Sequence, residues 1–510
     1  MNKDSKQIKV GAILSYLQIG LSIIIGLLYT PAMIRLLGQN EFGLYNTVAS
    51  TTSMLSVMSL GLNAGYIKFY SKYKKENDSQ SINKLNGMFL AIFLVLGIIS
   101  FLCGLFLSFN LNIVFNNGLT ESEYITAKVL MILMTIGLST SFPLSVFTNI
   151  ITASENFIFL KSLNIIQTVL TPLVTLPLLL MGHKSVSIVT ISLTLQTITG
   201  FLNIWFTVFK LKHRFTFRGI DSTAFIDLFG YTVFIAINII IDQINWKTDQ
   251  IILGRYCGTA CVAVYSVGST LNNYYIMFSS SISGFFTPRI HRIVNELNDS
   301  KKMMEEKLSE LFIRIGRIQF LVLMIIATGF IFFGKSFISL WAGTKYEKSY
   351  YVALILIIPV TVPLIQNIGI EIQRALNKHK FRSIVYLAMA FINLLISIIL
   401  CKKYSEIGVA FGTGLSLLIA NGIIMNIYYY RKCGINILLF WYNIIKMSLG
   451  LIPPVFLAVL FTSYYKIDTI IKLLIGIIIY TFVYSSSMWF ISMNKYEKEL
   501  VLNTIKKLRN

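Results

Sequence analysis

Phe42-Gly-Leu-Tyr45-Asn-Thr-Val-Ala-Ser50 and Val262-Ala-Val-Tyr265-Ser-Val-Gly-Ser-Thr270 read as two copies of one helix entry, 220 residues apart. Pro143-Leu144 and Pro363-Leu364 repeat the offset of 220, and Ala153-Ser-Glu-Asn-Phe157 pairs with Ala375-Leu-Asn-Lys-His379 at 222. Each match is short. Their common spacing makes them an internal repeat, the first thing to seek in a long chain.

What separates the copies is strongly apolar. The 510 residues are 55% hydrophobic and 13% charged, with mean hydropathy +0.71. A soluble chain carries about a quarter charged residues, so a soluble enzyme and a disordered regulator are excluded. Apolar windows of about 19 residues fall at 10–34, 43–67, 87–108, 125–151, 162–181, 186–209 and 229–253. The rest lie at 261–287, 318–334, 350–370, 383–400, 408–430, 447–464 and 473–492. The expected fold is therefore all-α, a polytopic membrane protein of about 14 transmembrane helices.

An offset holding six spans gives both copies the same orientation, so the pseudo-two-fold axis is expected along the membrane normal. The domains expected are a lobe of six helices at 1–215, a second at 216–432, and a helix pair with a cytoplasmic tail at 433–510.

The net charge of +22 would suggest nucleic acid in a soluble domain. With the N-terminus inside, however, 32 of the 44 basic residues fall in inner segments and 10 in outer connections. The excess is a positive-inside signal that puts both termini in the cytoplasm and removes nucleic acid as a partner. Lys3, Lys6 and Lys9 precede an apolar run from Val10 to Tyr29 that is too long for a typical signal-peptide core and lacks a small-residue cleavage pattern, so it is expected to be a retained helix. Segments 293–312 and 495–509 alternate apolar and charged residues at helical spacing and are expected to lie on the inner surface.

Recognisable catalytic chemistry is missing. His183, His213, His291 and His379 are scattered over different loops, giving no zinc-type cluster. Cys257 and Cys261 share a helical spacing, but small apolar packing is the simpler reading than a redox pair. No phosphate-binding glycine loop occurs, and the longest outer connection, around Phe109 to Tyr124, has only Glu121 and Glu123 as acids. No enzyme activity and no cofactor are expected.

The polar exception is the seventh span, Asn238-Ile-Ile-Ile-Asp242-Gln243-Ile-Asn245-Trp246-Lys247-Thr-Asp249-Gln250. A charge at the bilayer centre costs about 2.5–3.5 kcal/mol on insertion scales, so a retained one implies a cavity or a partner. Asp242 stands roughly 20 and 16 Å from the two ends of its span at 1.5 Å per residue, near the midplane. Asn238, Asp242, Asn245 and Asp249 share one helical face, with Lys247 beside it. Lys247 is placed to neutralise Asp249 or to contact an anionic ligand; a buried Asp–Lys arrangement that only positions helices is the alternative. Lys128 and Arg35 sit near outer span ends, where snorkelling competes with a substrate role. Pro143, Pro172, Pro177, Pro359 and Pro363 mark where helices are expected to bend.

Two six-helix halves with an appended pair, and the Leu37-Gly38…Gly43-x-Tyr45 entry, resemble the polysaccharide flippases of the multidrug/oligosaccharidyl-lipid/polysaccharide exporter superfamily. Asp249-Gln-Ile-Ile-Leu-Gly254 followed by Val264-Tyr265-Ser266 is similar to that family's seventh-to-eighth helix junction, and Ala375-Leu-Asn-Lys-His-Lys380 to its exit after the tenth helix. Where the family often has Asp-Arg or Asp-Lys, this chain has Asp249-Gln250, which weighs against a cationic role there.

The resemblance implies transfer of undecaprenyl-diphosphate-linked oligosaccharide repeat units across the bacterial inner membrane, for O-antigen or capsule synthesis. The expected mechanism is alternating access, with Asp242 coupling a cation, Na+ or H+, and Lys247 attracting the diphosphate. Asn63, Tyr66, Asn238, Gln243 and Tyr274 would line the route. Expected partners are the lipid-linked glycan, membrane lipids, and a polysaccharide polymerase with its chain-length protein. The alternatives are a lipid II flippase, a cation-coupled multidrug antiporter and a non-transporting scaffold. The lipid II flippase carries several arginines in its cavity, whereas spans two, three and eight here contain none.

Overall fold

A computed structural model describes residues 3–115, 119–218, 222–297 and 299–509, and among these the chain forms helices with no strand. The first helices are α1 (Lys3–Leu37), α2 (Gln39–Met54), α3 (Leu62–Lys75), α4 (Ser79–Phe109), α5 (Glu121–Ala153), α6 (Phe157–Leu180) and α7 (Ser185–Trp205). Then come α8 (Ser222–Tyr256), α9 (Thr259–Ser283), α10 (Thr287–Glu296), α11 (Lys301–Trp341), α12 (Ser349–Ile365) and α13 (Ile368–Ala375). The last are α14 (His379–Leu417), α15 (Asn426–Cys433), α16 (Ile437–Ser448), α17 (Ile452–Tyr464), α18 (Ile470–Ser487) and α19 (Lys495–Arg509).

Among the described residues nine helices are long and apolar enough to cross a membrane, or ten with the bent pair α12–α13. The chain is a multi-pass, all-α membrane protein. Several of the expected spans depart from a single straight helix. The expected span 43–67 is two helices: after α2 a 3-10 turn covers Leu55–Ser59, then Leu60 and Gly61 take φ of 46° and 69° before α3. Glycine adopts that left-handed conformation freely; Leu60 beside it does not. α8 and α9 are helical over most of the expected spans 229–253 and 261–287 and carry Asn, Asp, Ser and Thr residues among their apolar ones. The expected spans 383–400 and 408–430 are two helical arms of α14 that meet at a sharp break at Ser405 (φ 51°, ψ −130°), where the chain doubles back and Ser397 Oγ donates to the Val409 carbonyl at 3.5 Å.

Two further expectations are corrected. Segment 293–312 is not one surface helix: α10 ends at Glu296, and residues from Lys301 begin the 41-residue α11. Leu308, Leu311 and Phe312 of that stretch are buried, so its apolar face is used by protein rather than by lipid. Pro143, Pro172 and Pro177 lie inside α5 and α6 without ending them, whereas the helix carrying Pro359 and Pro363 gives way to α13 at a bend of 43°.

Packing divides the chain into two compact units, one of Met1–Ser266 with Ser397–Val409, the other of Val267–Ile396 with Ala410–Asn510. The repeat-based division at 215 stands as a proposal about internal symmetry. By packing, α8 belongs to the first unit, because Gly254 meets Thr47 of α2 and Ile235 rests on Gly61.

In the first unit Tyr66, Phe89, Phe93, Phe142 and Val146 form a core between α3, α4 and α5. Gly97 and Gly104 let α4 approach Ser139 and Thr135 of α5 closely, the small-residue packing that membrane helices favour. The segment after α7 is strapped to this core: Thr216 N–H donates to the Asn83 carbonyl at 3.0 Å, and Asn86 donates to the Arg214 carbonyl at 3.1 Å. His213 Nε2 lies 3.4 Å from both Tyr70 Oη and Ser154 Oγ. In the second unit Phe333 of α11 packs on Tyr480 and on Phe461, and Tyr480 Oη donates to Thr328 at 2.6 Å. The tail helix α19 is held by a buried ion pair, Arg317 Nε to Glu497 Oε1 at 2.6 Å and Nη2 to Oε2 at 2.9 Å. Arg317 also donates to the Ser492 carbonyl at 3.0 Å.

Both the tail clamp and the strap can be tested. Glu497→Ala strands a buried guanidinium and is expected to cost about 3–5 kcal/mol, read as a lowered unfolding midpoint in detergent; Arg317→Met with Glu497→Leu should recover most of that loss. Burial pushes the His213 imidazole below its ordinary value. The unfolded segment therefore takes up the proton first, and stability present above about pH 6.5 is lost as pH falls from there toward the lowered value. Amide protection of residues 211–217, corrected for intrinsic exchange, should fall on acidification below about pH 6.5 and become flat in His213→Gln.

Candidate functional site

The polar stretch of α8 is helical throughout, so its 4-3-4 spacing does place Asn238, Asp242, Asn245 and Asp249 on one side. The neighbours treat the two ends of that side differently. Asn238 and Asp242 are exposed, Asn245 and Lys247 half-buried, and Asp249 is 1% exposed. At the Asp249 end α2 and α9 close in: Tyr265 Oη donates to Asp249 Oδ2, and Ser50 Oγ donates to Gln250 Oε1. A Cβ at Gly43 would collide with the Thr259 carbonyl, which is why this junction can be so tight. Asp249 therefore works in packing here, and the expected polar face is confined to the part around Asp242.

Gln243 Nε2 donates to Ser56 Oγ at 3.3 Å, tying α8 to the 3-10 turn that interrupts the second span. The same break sets α3 at a new angle, and Asn63 in its first turn accepts from Asn149 Nδ2 of α5 at 2.7 Å. Gln243, Asp242 and Asn238 thus lie along the part of α8 that borders a broken helix, where irregular backbone is tolerated only against protein or a watery cavity.

Other expected site residues stand apart. Tyr66 is fully buried and donates to Asn86 Oδ1 at 2.6 Å, within the core of the first unit. Lys128 holds its ammonium 4.6 Å above the Phe109 ring, a cation–π contact near a helix end. Arg35 is exposed in the last turn of α1. Tyr274 is half-buried and belongs to the second unit. No group of three or more metal-ligating side chains able to hold an ion occurs among the described residues.

A second concavity was not anticipated. Between α2, α5 and α7, a pocket of about 300 Å³ is lined by Tyr45, Thr52, Ser53, Ser141, Ser192 and Gln196, among others. Gln196 Nε2 donates to the Gly137 carbonyl at 2.9 Å. The signal available in sequence was the Ser50-Thr-Thr-Ser53 run inside an otherwise apolar span.

Residues 8–294 match the model of a family described as polysaccharide biosynthesis protein. Over 208 residues the chain is 24% identical to the capsular polysaccharide biosynthesis protein CapF of Staphylococcus aureus, covering 41% of this chain; the chain spans 50% of the length of that curated relative. Among solved structures, the lipid II flippase MurJ in an inward closed conformation matches with a TM-score of 0.70 over 96% of this chain and 99% of that one, at 17% identity. The MATE multidrug transporter DinF-BH matches with a TM-score of 0.59 over 85% and 96%, at 14% identity. The Vibrio cholerae MATE transporter VcmN in its bent form gives 0.54 over 86% and 100%, also at 14%. At such identities the likeness is one of fold. These structures are a flippase and transporters, not enzymes.

The two acids of α8 should separate in experiment. Tyr265→Phe removes a donor to a buried carboxylate and is expected to cost about 1.5–3 kcal/mol of stability. Asp242→Asn, at an exposed position, should stay within about 0.5 kcal/mol. Thermal unfolding of the two variants side by side in detergent is the measurement.

Proposed function

This chain belongs to the polysaccharide biosynthesis protein family, and on that premise we propose that it flips undecaprenyl-diphosphate-linked oligosaccharide repeat units from the inner to the outer leaflet of the bacterial inner membrane. The observation that carries the reading is the family match over residues 8–294 on a fold shared with a lipid-linked-precursor flippase. The similarity to a capsular polysaccharide protein favours a surface polysaccharide as the product. In the proposed orientation both termini are cytoplasmic, and the basic segments there face anionic headgroups, each cation contributing about 1 kcal/mol near the surface.

The mechanism proposed is alternating access. The lipid tail stays in the bilayer while the charged head crosses a polar passage. Asp242, exposed on a helix whose other flank is buried, is the group that exchanges a coupling Na+ or H+. Asn238 and Gln243 offer amide donors and acceptors to sugar hydroxyls, and Lys247 attracts the diphosphate. A polymerase and a chain-length protein would receive the product on the outer face.

Lipid II transfer is the second reading, favoured by the near-complete structural match to MurJ. Purified protein in vesicles, supplied with a labelled undecaprenyl-diphosphate-linked repeat unit in the outer leaflet or with labelled lipid II, distinguishes them. Faster protection of the repeat unit than of lipid II from an external reagent supports the proposal; transfer of lipid II alone replaces it, and transfer of neither returns the chain to a scaffold. Asp242→Asn is expected to reduce transfer at least tenfold, equivalent to about 1.4 kcal/mol in the barrier, with protein levels unchanged. Undiminished activity in that variant would remove Asp242 from the coupling role.

A further inference from the structure

Three of the five cysteines meet at one place in the first unit. Cys257 follows the last residue of α8, Cys261 lies in the first turn of α9, and Cys401 lies in the 397–409 segment of α14 that packs with the first unit although its flanks, Ile396 and Ala410, belong to the second. Cys257 Sγ is 3.2 Å from Cys401 Sγ and 3.6 Å from the Cys401 carbonyl oxygen. Cys401 is 1% exposed and Cys257 half-buried. The backbone on both sides sets this meeting. Gly258, with φ of 86°, turns the chain sharply between α8 and α9. Four residues beyond Cys401, Ser405 takes φ of 51° and kinks α14, and Gly408 is pressed so close to Leu400 that a Cβ would strike the Leu400 carbonyl.

A disulfide has its sulfurs about 2.05 Å apart. The two thiols here need to close by only about 1 Å. The remaining two cysteines lie elsewhere: Cys433 ends α15 in the second unit and Cys103 sits within α4.

We propose that Cys257 and Cys401 are a reversible oxidation site that forms an intramolecular disulfide between the α8–α9 turn and the α14 kink. The oxidant is a disulfide, by thiol–disulfide exchange. The Cys257 thiolate attacks one sulfur of the donor disulfide, giving a mixed disulfide and releasing one donor thiol. The Cys401 thiolate then attacks the Cys257 sulfur, forming the internal bond and releasing the second donor thiol. The protein loses two electrons and the donor gains them, while the two thiol protons pass to the released donor sulfurs. The orientation given under the functional proposal puts both cysteines at the outer ends of their helices, toward an oxidising compartment, and only this placement rests on the functional reading.

The test uses the full chain in detergent, incubated with oxidised or reduced glutathione, quenched with N-ethylmaleimide, digested without reductant and read by mass spectrometry. The expected result is a linked peptide pair containing Cys257 and Cys401, abolished by reductant and by Cys257→Ser, and retained in Cys261→Ser and Cys433→Ser. Complete alkylation of both residues after oxidised glutathione overturns the proposal, as does a Cys257–Cys261 pair or glutathione adducts alone. Because wild-type protein gives the primary answer, a misfolded Cys257→Ser variant does not affect it. Repeating the oxidation on intact cells with glutathione outside tests the placement separately: a link that forms only after permeabilisation supports the pairing and overturns the orientation.

Discussion

Inside a bilayer no water is available to the peptide group, and each unsatisfied one costs several kcal/mol. Helix is therefore the rule among the described residues, and two departures from it are sheltered by protein. The turn at Leu55–Ser59 and the left-handed pair Leu60–Gly61 are covered by α8, through Ile235 against Gly61 and Gln243 on Ser56. The kink at Ser405 lies in a short segment gathered into the first unit rather than left with its flanks. Irregularity and polarity occur together because each needs the other's shelter.

The same constraint sorts the acids of α8. Asp242 and Asp249 are seven residues apart on one helical face, so periodicity treats them alike. Glycines at 43 and 254 allow α2 and the α8–α9 junction to close on the Asp249 end, and burial there is answered by the Tyr265 hydroxyl. Asp242 is an exposed residue. Under the proposed function the exposed acid is the one assigned to a coupling ion, while the acid sealed by a phenol is part of the packing.

In the second unit the apolar periodicity of α11 runs well past the length a bilayer needs. Its first turns bury Leu308, Phe312 and Ile315 and end against the tail through Arg317 and Glu497. Amphipathicity in that stretch announces a protein contact, not a lipid one. The spacing of apolar and charged residues does not separate the two, since both require one apolar and one charged face.

The sequence by itself determined the membrane class, the places of most spans, the polar character of α8 and the family resemblance that the comparison with known proteins bears out. Those follow from the length, apolarity and order of single segments. Tertiary structure alone decided that the second span is broken, that Tyr66 and Asp249 are sealed while Asp242 is not, and that Cys257 meets Cys401 across 144 residues. The reason is that exposure and proximity belong to pairs of helices. A segment's own periodicity states which residues share a face, but the approach of a neighbour decides what that face meets.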